Sequence, residues 1–459
     1  MVSIENQADR VPEDPTINGM AVDQFVSVGD ALQPTLPMTG RPHVVVIGGG
    51  FGGLSTVRSL KDADVDITLI DRRNHHLFVP LLYQVATSQL SSDVIAQPLR
   101  SILKRQKNAT VVYDEALDID VDGKSVRFAS GNSIAYDFLV IAVGAKDSYF
   151  GHDEWAEHAP GLKSLEDAER IRQQILLSFE RAEKTKDAQR RKALLTFVIV
   201  GGGPTGVEMA GAIAEIRNHT LMNEFRNFNP RDARVILLEG LPRVFPMFKE
   251  SLSARAQNDL EQLGVEVRTG SLVTNVDAEG VTIGGEERIE TDTVIWAAGI
   301  QASSLTPSLK DVTEIDRSGR VPVTRELHVP GHPEIFVIGD ASIVKSPEGK
   351  PLGAVAPLAI QGGEHVARNI QRSIRREAYA PFAYNDRGSM ATIGRNRAVA
   401  DIRNRQFFGP IAWLMWAAVH MMQLVTFRNR AVVGFQWAMD YFGYNRNARV
   451  IVDYTGDDK

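Results

Sequence analysis

His43-Val-Val-Val-Ile47 is a short apolar run that ends in Gly48-Gly-Gly-Phe-Gly-Gly53 and continues with alternating small and apolar residues. Such a run, bounded by glycines, reads as a buried strand feeding a tight turn and then a helix. A second apolar run, Val65-Asp-Ile-Thr-Leu-Ile70, ends in Asp71. The same order returns further along: Leu195–Val200, then Gly201-Gly-Gly-Pro-Thr-Gly206, then Val235-Ile-Leu-Leu238 ending in Glu239. Each unit closes on a further strand, Asp137–Gly144 and Asp292–Gly299. Gly48 to Gly144 spans 96 positions and Gly201 to Gly299 spans 98. A whole domain is therefore repeated. Between the second and closing strands, segments such as Val121–Phe128 and Gly280–Gly285 alternate with turn residues and predict a β-meander in place of a crossover helix.

The glycine spacing has a physical purpose. In the first unit Gly48 permits the turn, Gly50 lets a pyrophosphate approach the backbone, and Gly53 lets helix and strand close up, with Phe51 and Gly52 between them. The helix start then offers unpaired N–H groups to phosphate. Asp71, followed by Arg72, stands where a carboxylate accepts hydrogen bonds from a ribose. Gly201, Gly203 and Gly206, with Pro204 and Thr205 between, repeat this arrangement, and Glu239 takes the acid's place. A carboxylate there favours a nucleotide with a free 2′-hydroxyl and repels one with a 2′-phosphate, although Arg243 is close enough to soften that choice. A third element, Glu334-Ile-Phe-Val-Ile-Gly-Asp340, has no glycine motif of its own and is expected to complete the first domain.

The predicted fold class is α/β, with two Rossmann-like dinucleotide-binding domains, the second inserted in the first, and a C-terminal membrane-docking segment. The expected boundaries are a disordered tail over 1–40, the first domain over 41–160 and 326–380, the second over 161–325, and the C-terminal part over 381–459. Residues 1–40 have neither a basic n-region nor an apolar h-region, so no export signal is read there, and the catalytic parts are expected to face the cytoplasm.

Composition narrows the chemistry. A net charge of −6 gives no general basis for nucleic-acid binding. There are no cysteines, which removes disulfides, thiolate metal sites and any cysteine redox relay. His75 and His76 have no further ligand at metal spacing, so no metal site is expected. From Arg395 to Arg449 there are eight Arg, no Lys and two acids, Asp401 and Asp440. This basic stretch surrounds an uncharged run, Ile411–Phe427, which a core helix, a surface-docked helix or a short membrane span could each explain. On a helix Leu414, Met415, Ala418, Met421, Met422 and Val425 share one face, and His420, Gln423 and both Trp another. Flanking Arg403, Arg405, Arg428 and Arg430, with Arg446 and Arg449 after a second apolar segment, favour docking on a lipid surface.

With these motifs the chain resembles the two-dinucleotide-binding-domain flavoproteins. The resemblance implies FAD in the first site and a nicotinamide nucleotide in the second. It also implies that Asp340, after Gly339, bonds the ribityl chain, and that Gly144 and Gly299 lie where the closing strands approach the cofactors. Relatives that reduce disulfides or oxidise sulfide rely on cysteines, which leaves a quinone, oxygen or a redox protein as acceptor. Asn74–Thr87, Gly203–Gly211 and Ala356-Pro-Leu-Ala-Ile-Gln361 extend the likeness to type II NADH:quinone oxidoreductases. That family implies hydride transfer from NADH to FAD and passage of two electrons to a membrane quinone without proton pumping, at the cytoplasmic face of the cell membrane. It implies a role for Glu208 in orienting NADH or handling protons. Ala359 and Gln361 match the family's A-Q-x-A-x-Q quinone pattern, whose first Gln is Pro357 here. The expected partners are NADH, a menaquinone or ubiquinone, and the bilayer surface, and a homodimer is compatible with this reading. A soluble reductase, an NADH oxidase and an NADH-sensing flavoprotein remain open alternatives.

Overall fold

The computed structural model describes residues 39–443 and 448–451. The tail expected over 1–40 falls outside them save for Thr39 and Gly40, as do Tyr444 and Arg446. The first unit comprises β1 (His43–Ile47), α1 (Phe51–Ser59), β2 (Asp66–Asp71), β3 (Ala109–Tyr113) and β4 (Phe138–Ile141), and β5 (Ala145–Asp147) leads out of it. The second comprises β6 (Thr196–Val200), α2 (Pro204–Glu215), β7 (Arg234–Glu239), β8 (Val265–Thr269) and β9 (Thr293–Trp296), and β10 (Ile300–Ala302) leads back. Then come β11 (His328–Val329), β12 (His332–Val337) and α3 (Ala356–Ile374). The chain ends in β13 (Ser389–Gly394), β14 (Arg397–Ile402), β15 (Arg405–Phe408), α4 (Gly409–Gln423) and α5 (Phe427–Gly443).

The first sheet runs β11-β12-β4-β1-β2-β3 and the second β8-β7-β6-β9. The second is parallel throughout, and the first is parallel apart from its β11–β12 edge. Parallel strands are covered on both faces, which explains why Val44, Val45 and Val46 are all buried, as are Phe197, Val198 and Ile199. The two meanders form as the alternation predicts, over Ala116–Ala135 and Val273–Glu290. β12 lies against β4, with Ile335 beside Leu139, so the first sheet draws on two separate stretches of chain. β5 and β10 pair antiparallel, Asp147 opposite Ile300, and are the two strands that cross between the units.

The uncharged run from Ile411 to Phe427 is not one helix. α4 stops at Gln423, Leu424 is extended, and the Thr426 hydroxyl accepts the Asn429 N–H to start α5. The two helices pack through Trp416 on Trp437, 5.4 Å apart, and Trp413 on Tyr441, 5.6 Å apart. The expected facing is corrected in part. Ala412 and Trp416 turn inward with His420, whereas Gln423 is exposed beside Met422. Ile411, Leu414, Ala418 and Met422 form the open apolar face, Met415 and Met421 are half-buried, and Val425 lies beyond the helix end. No described helix is long and apolar enough to cross a membrane.

β13 lies directly on α2. A Cβ placed at Gly211 would stand 1.7 Å from the Ile393 carbonyl oxygen, so helix and strand touch backbone to backbone. Gly211→Ala should therefore force the C-terminal sheet away and cost about 3 kcal/mol, read as a lower midpoint in urea unfolding.

Candidate active site

Both glycine loops are built alike. Gly48 and Gly201 have φ of +99° and +111°, and a Cβ at either would strike the closing strand, at Ala142 or Ala297. A Cβ at Gly53 would lie 1.8 Å from the Gly48 carbonyl oxygen, and one at Gly206 1.8 Å from that of Gly201. Gly50 and Gly203, by contrast, face open space. They are the N-caps of α1 and α2 and supply no side-chain hydrogen bond, so the first N–H groups of each helix are left for an outside acceptor. Each cradle fits a pyrophosphate.

The two acids also match, with a detail the sequence does not convey. Asp71 accepts the Gly49 N–H at 2.6 Å and the Arg73 N–H at 2.7 Å. Glu239 accepts the Gly202 N–H at 2.6 Å and the Leu241 N–H at 2.7 Å. Each carboxylate thus locks its own loop and keeps spare lone pairs for a ribose. Arg72 bonds Glu115 at 3.2 Å at the rim. Arg243 donates one N–H to the Pro246 carbonyl at 3.1 Å and forms no ion pair with Glu239 among the described residues.

Around the first loop, His76 Nδ1 bonds the Gly49 carbonyl at 2.9 Å, and its ring meets Phe51 edge-on. Burial holds its pKa below the usual histidine value, so the neutral ring donates that bond. His75 pairs with Asn74, and among the described residues no group of three His, Cys, Asp or Glu could hold a metal. Gly339 has φ +69° and delivers Asp340, whose pKa burial pushes up while Lys163 opposes the shift. No described protein group hydrogen-bonds the Asp340 carboxyl, which suits it to a ligand hydroxyl. Gly144, φ +66°, also faces open space, whereas Gly299, φ +80°, lies under the ring of Phe150. Gly52 packs tightly against Ile338 and the start of α3.

Glu208 falls in the second turn of α2, so the helix start does not account for it. It opens into a cleft lined by Tyr83, Gln84, Thr392, Trp416 and Trp437. Burial pushes its pKa from the usual 4.5 up to about 8, with partial relief from the Thr392 N–H. Between those values the folded chain keeps a proton that the unfolded chain releases, so stability falls as pH rises through that window. Glu208→Gln should therefore gain in melting temperature relative to the parent from pH 5 to pH 8. A constant offset across that range would contradict the burial.

Gln361 and Ala359 sit in the first two turns of α3. Gln361 donates to the Asn385 carbonyl and accepts the Asn385 N–H, both at 3.0 Å. Gln361 thus clamps the 385 loop and keeps one side-chain N–H to spare for a further acceptor. Ala359 is buried, and its methyl lies 3.3 Å from a Cβ built at Gly339. Two contacts escaped the sequence altogether: Trp437 Nε1 donating to Gln84 Oε1 at 2.8 Å, and Phe150 over Gly299. Partners 353 and 149 residues apart leave no local signal.

Residues 42–363 match the family model described as pyridine nucleotide-disulphide oxidoreductase, and residues 387–445 match the NDH2 C-terminal domain. A type II NADH:quinone oxidoreductase of Mycobacterium tuberculosis is 44% identical over 433 residues, 92% of each chain. This chain belongs to the type II NADH:quinone oxidoreductase family. A relative of the same description from Staphylococcus haemolyticus is 30% identical over 82% of this chain and 93% of its own. In fold, the chain is similar to NDH2 of Plasmodium falciparum in complex with NADH, at a TM-score of 0.82 and 21% identity over 90% of this chain and 100% of that one. The sulfide:quinone oxidoreductase of Aquifex aeolicus gives 0.68 at 19% identity over 87% and 95%. The disulphide in the broader family's description has no counterpart here, since the chain has no cysteine. The match over 387–445 covers β13 through α5, the part that brings Thr392, Trp416 and Trp437 to the Glu208 cleft.

Proposed function

We propose that this protein oxidises NADH and passes the electron pair through FAD to a quinone at a membrane surface. The observation that carries the reading is the paired cradle, two uncapped helix starts with an acid locked beside each, in a chain of this family. The Gly48–Gly53 loop, Asp71, Gly144 and the Gly339–Asp340 turn would hold FAD. The Gly201–Gly206 loop and Glu239 would hold NADH, and the carboxylate disfavours a 2′-phosphate. FAD held there would supply the two-electron redox chemistry that links NADH to the quinone. The residues of the chain act mainly by positioning, because hydride transfer needs alignment more than it needs a nucleophile. Glu208 keeps a proton at neutral pH beside the C-terminal domain, where formation of a quinol consumes protons.

The surface reading rests on α4 and α5. Ile411, Leu414 and Met422 on one, and Phe427, Phe435 and Met439 on the other, are all exposed, and exposed apolar groups in such number on adjoining helices mark an interaction surface. Arg403, Arg405 and Arg428 are exposed at their borders, a composition suited to anionic headgroups. Arg449 has a different task, since it pairs with Glu224.

Steady-state assays test this reading. NADH consumption should rise at least tenfold on adding a quinone, with NADPH a poor substitute. A rate set by oxygen alone would favour an oxidase.

A further inference from the structure

Phe150 has a backbone φ of +55°, and the residue is 69% exposed. A bulky residue holds a left-handed conformation only where its surroundings fix it, and such positions gather at functional sites. Here the surroundings are specific. The Ser148 N–H donates to the Gly299 carbonyl at 3.3 Å, and Trp296 Nε1 donates to the Ser148 carbonyl at 2.9 Å. Tyr149 stacks on Trp296 at 5.1 Å, and Phe150 meets the same indole edge-on at 6.4 Å. The ring then lies across Gly299, where a Cβ would be 2.6 Å from its Cζ. The segment just after β5 is thus pinned to the second domain so that an aromatic ring stands open on its rim.

Strand order says what passes that rim. In the order β8-β7-β6-β9, Glu239 ends β7 on one side of the Gly201–Gly206 turn, and Gly299 follows β9 on the other. A dinucleotide that gives its adenosine ribose to Glu239 and its pyrophosphate to the start of α2 must continue towards β9. We propose that Phe150 is a positioning residue whose exposed ring bears on the nicotinamide-side half of NADH and holds it at the junction of the domains. This rests on reading the second cradle as the NADH site.

Calorimetric titration of the FAD-loaded protein with NAD⁺ and, separately, AMP tests it without turnover. Phe150→Gly should weaken NAD⁺ binding about tenfold, the scale of one lost aromatic contact, and leave AMP binding unchanged. Its melting temperature should hold, because glycine accepts the positive φ freely. Phe150→Tyr should retain the parent's affinity for NAD⁺. Unchanged NAD⁺ affinity in Phe150→Gly, or an equal loss for AMP, would overturn the proposal. A parent protein that binds neither ligand would instead remove the reading of the site on which it rests.

Discussion

Gly53→Val should emerge from purification colourless, with FAD below about a tenth of the parent's content. The reason is steric and local. A Cβ at residue 53 would lie 1.8 Å from the Gly48 carbonyl oxygen and 3.2 Å from a methyl of Val46, so valine cannot enter unless α1 lifts off β1. That movement carries away the N–H groups at the start of α1, and with them the pyrophosphate cradle. Gly206→Val repeats the clash in the second unit at the same distance from Gly201. It should leave the protein yellow but unable to be reduced by NADH. Absorbance at the flavin band before and after NADH separates the two variants, and loss of FAD from both in equal measure would contradict two independent cradles.

The second large effect concerns the bilayer. Leu414→Asp combined with Phe435→Asp should cut binding to vesicles of anionic phospholipid at least tenfold, measured by flotation, with FAD content unchanged. Leu414 and Phe435 are 61% and 70% exposed, so neither supports the core, and each would contribute about 1.5 kcal/mol or more if buried in the interface. Introducing two carboxylates removes that contribution and repels the lipid headgroups. Undiminished flotation would place the docking surface elsewhere on the molecule.

What could be read from the sequence follows the range of the forces involved. The glycine turns, the strands that feed them and the acids that follow are local, and Gly48, Gly53, Asp71 and their counterparts Gly201, Gly206 and Glu239 lie where spacing puts them. The meanders were legible for the same reason, because alternation reports a half-buried strand. Contacts made only by folding were not. Nothing near Gln361 in the chain announces Asn385 as its partner, and nothing in the sequence around Glu208 shows that Thr392 and Trp416 enclose it. The break after Gln423 was also hidden. Leu424 and Val425 are apolar and continue the run, and only the cap that Thr426 gives Asn429, with the Asn429 amide reaching the Val94 carbonyl at 2.7 Å, ends one helix and starts the next.

The most direct test of the account is anaerobic. NADH is added to the purified yellow protein on vesicles, and then a quinone dissolved in the lipid, while the flavin band is followed. The band should bleach on NADH and return on quinone, with one quinone consumed for each NADH. Bleaching that persists after the quinone is added would contradict transfer to a lipid-borne acceptor, and a band indifferent to NADH would contradict the paired dinucleotide sites themselves.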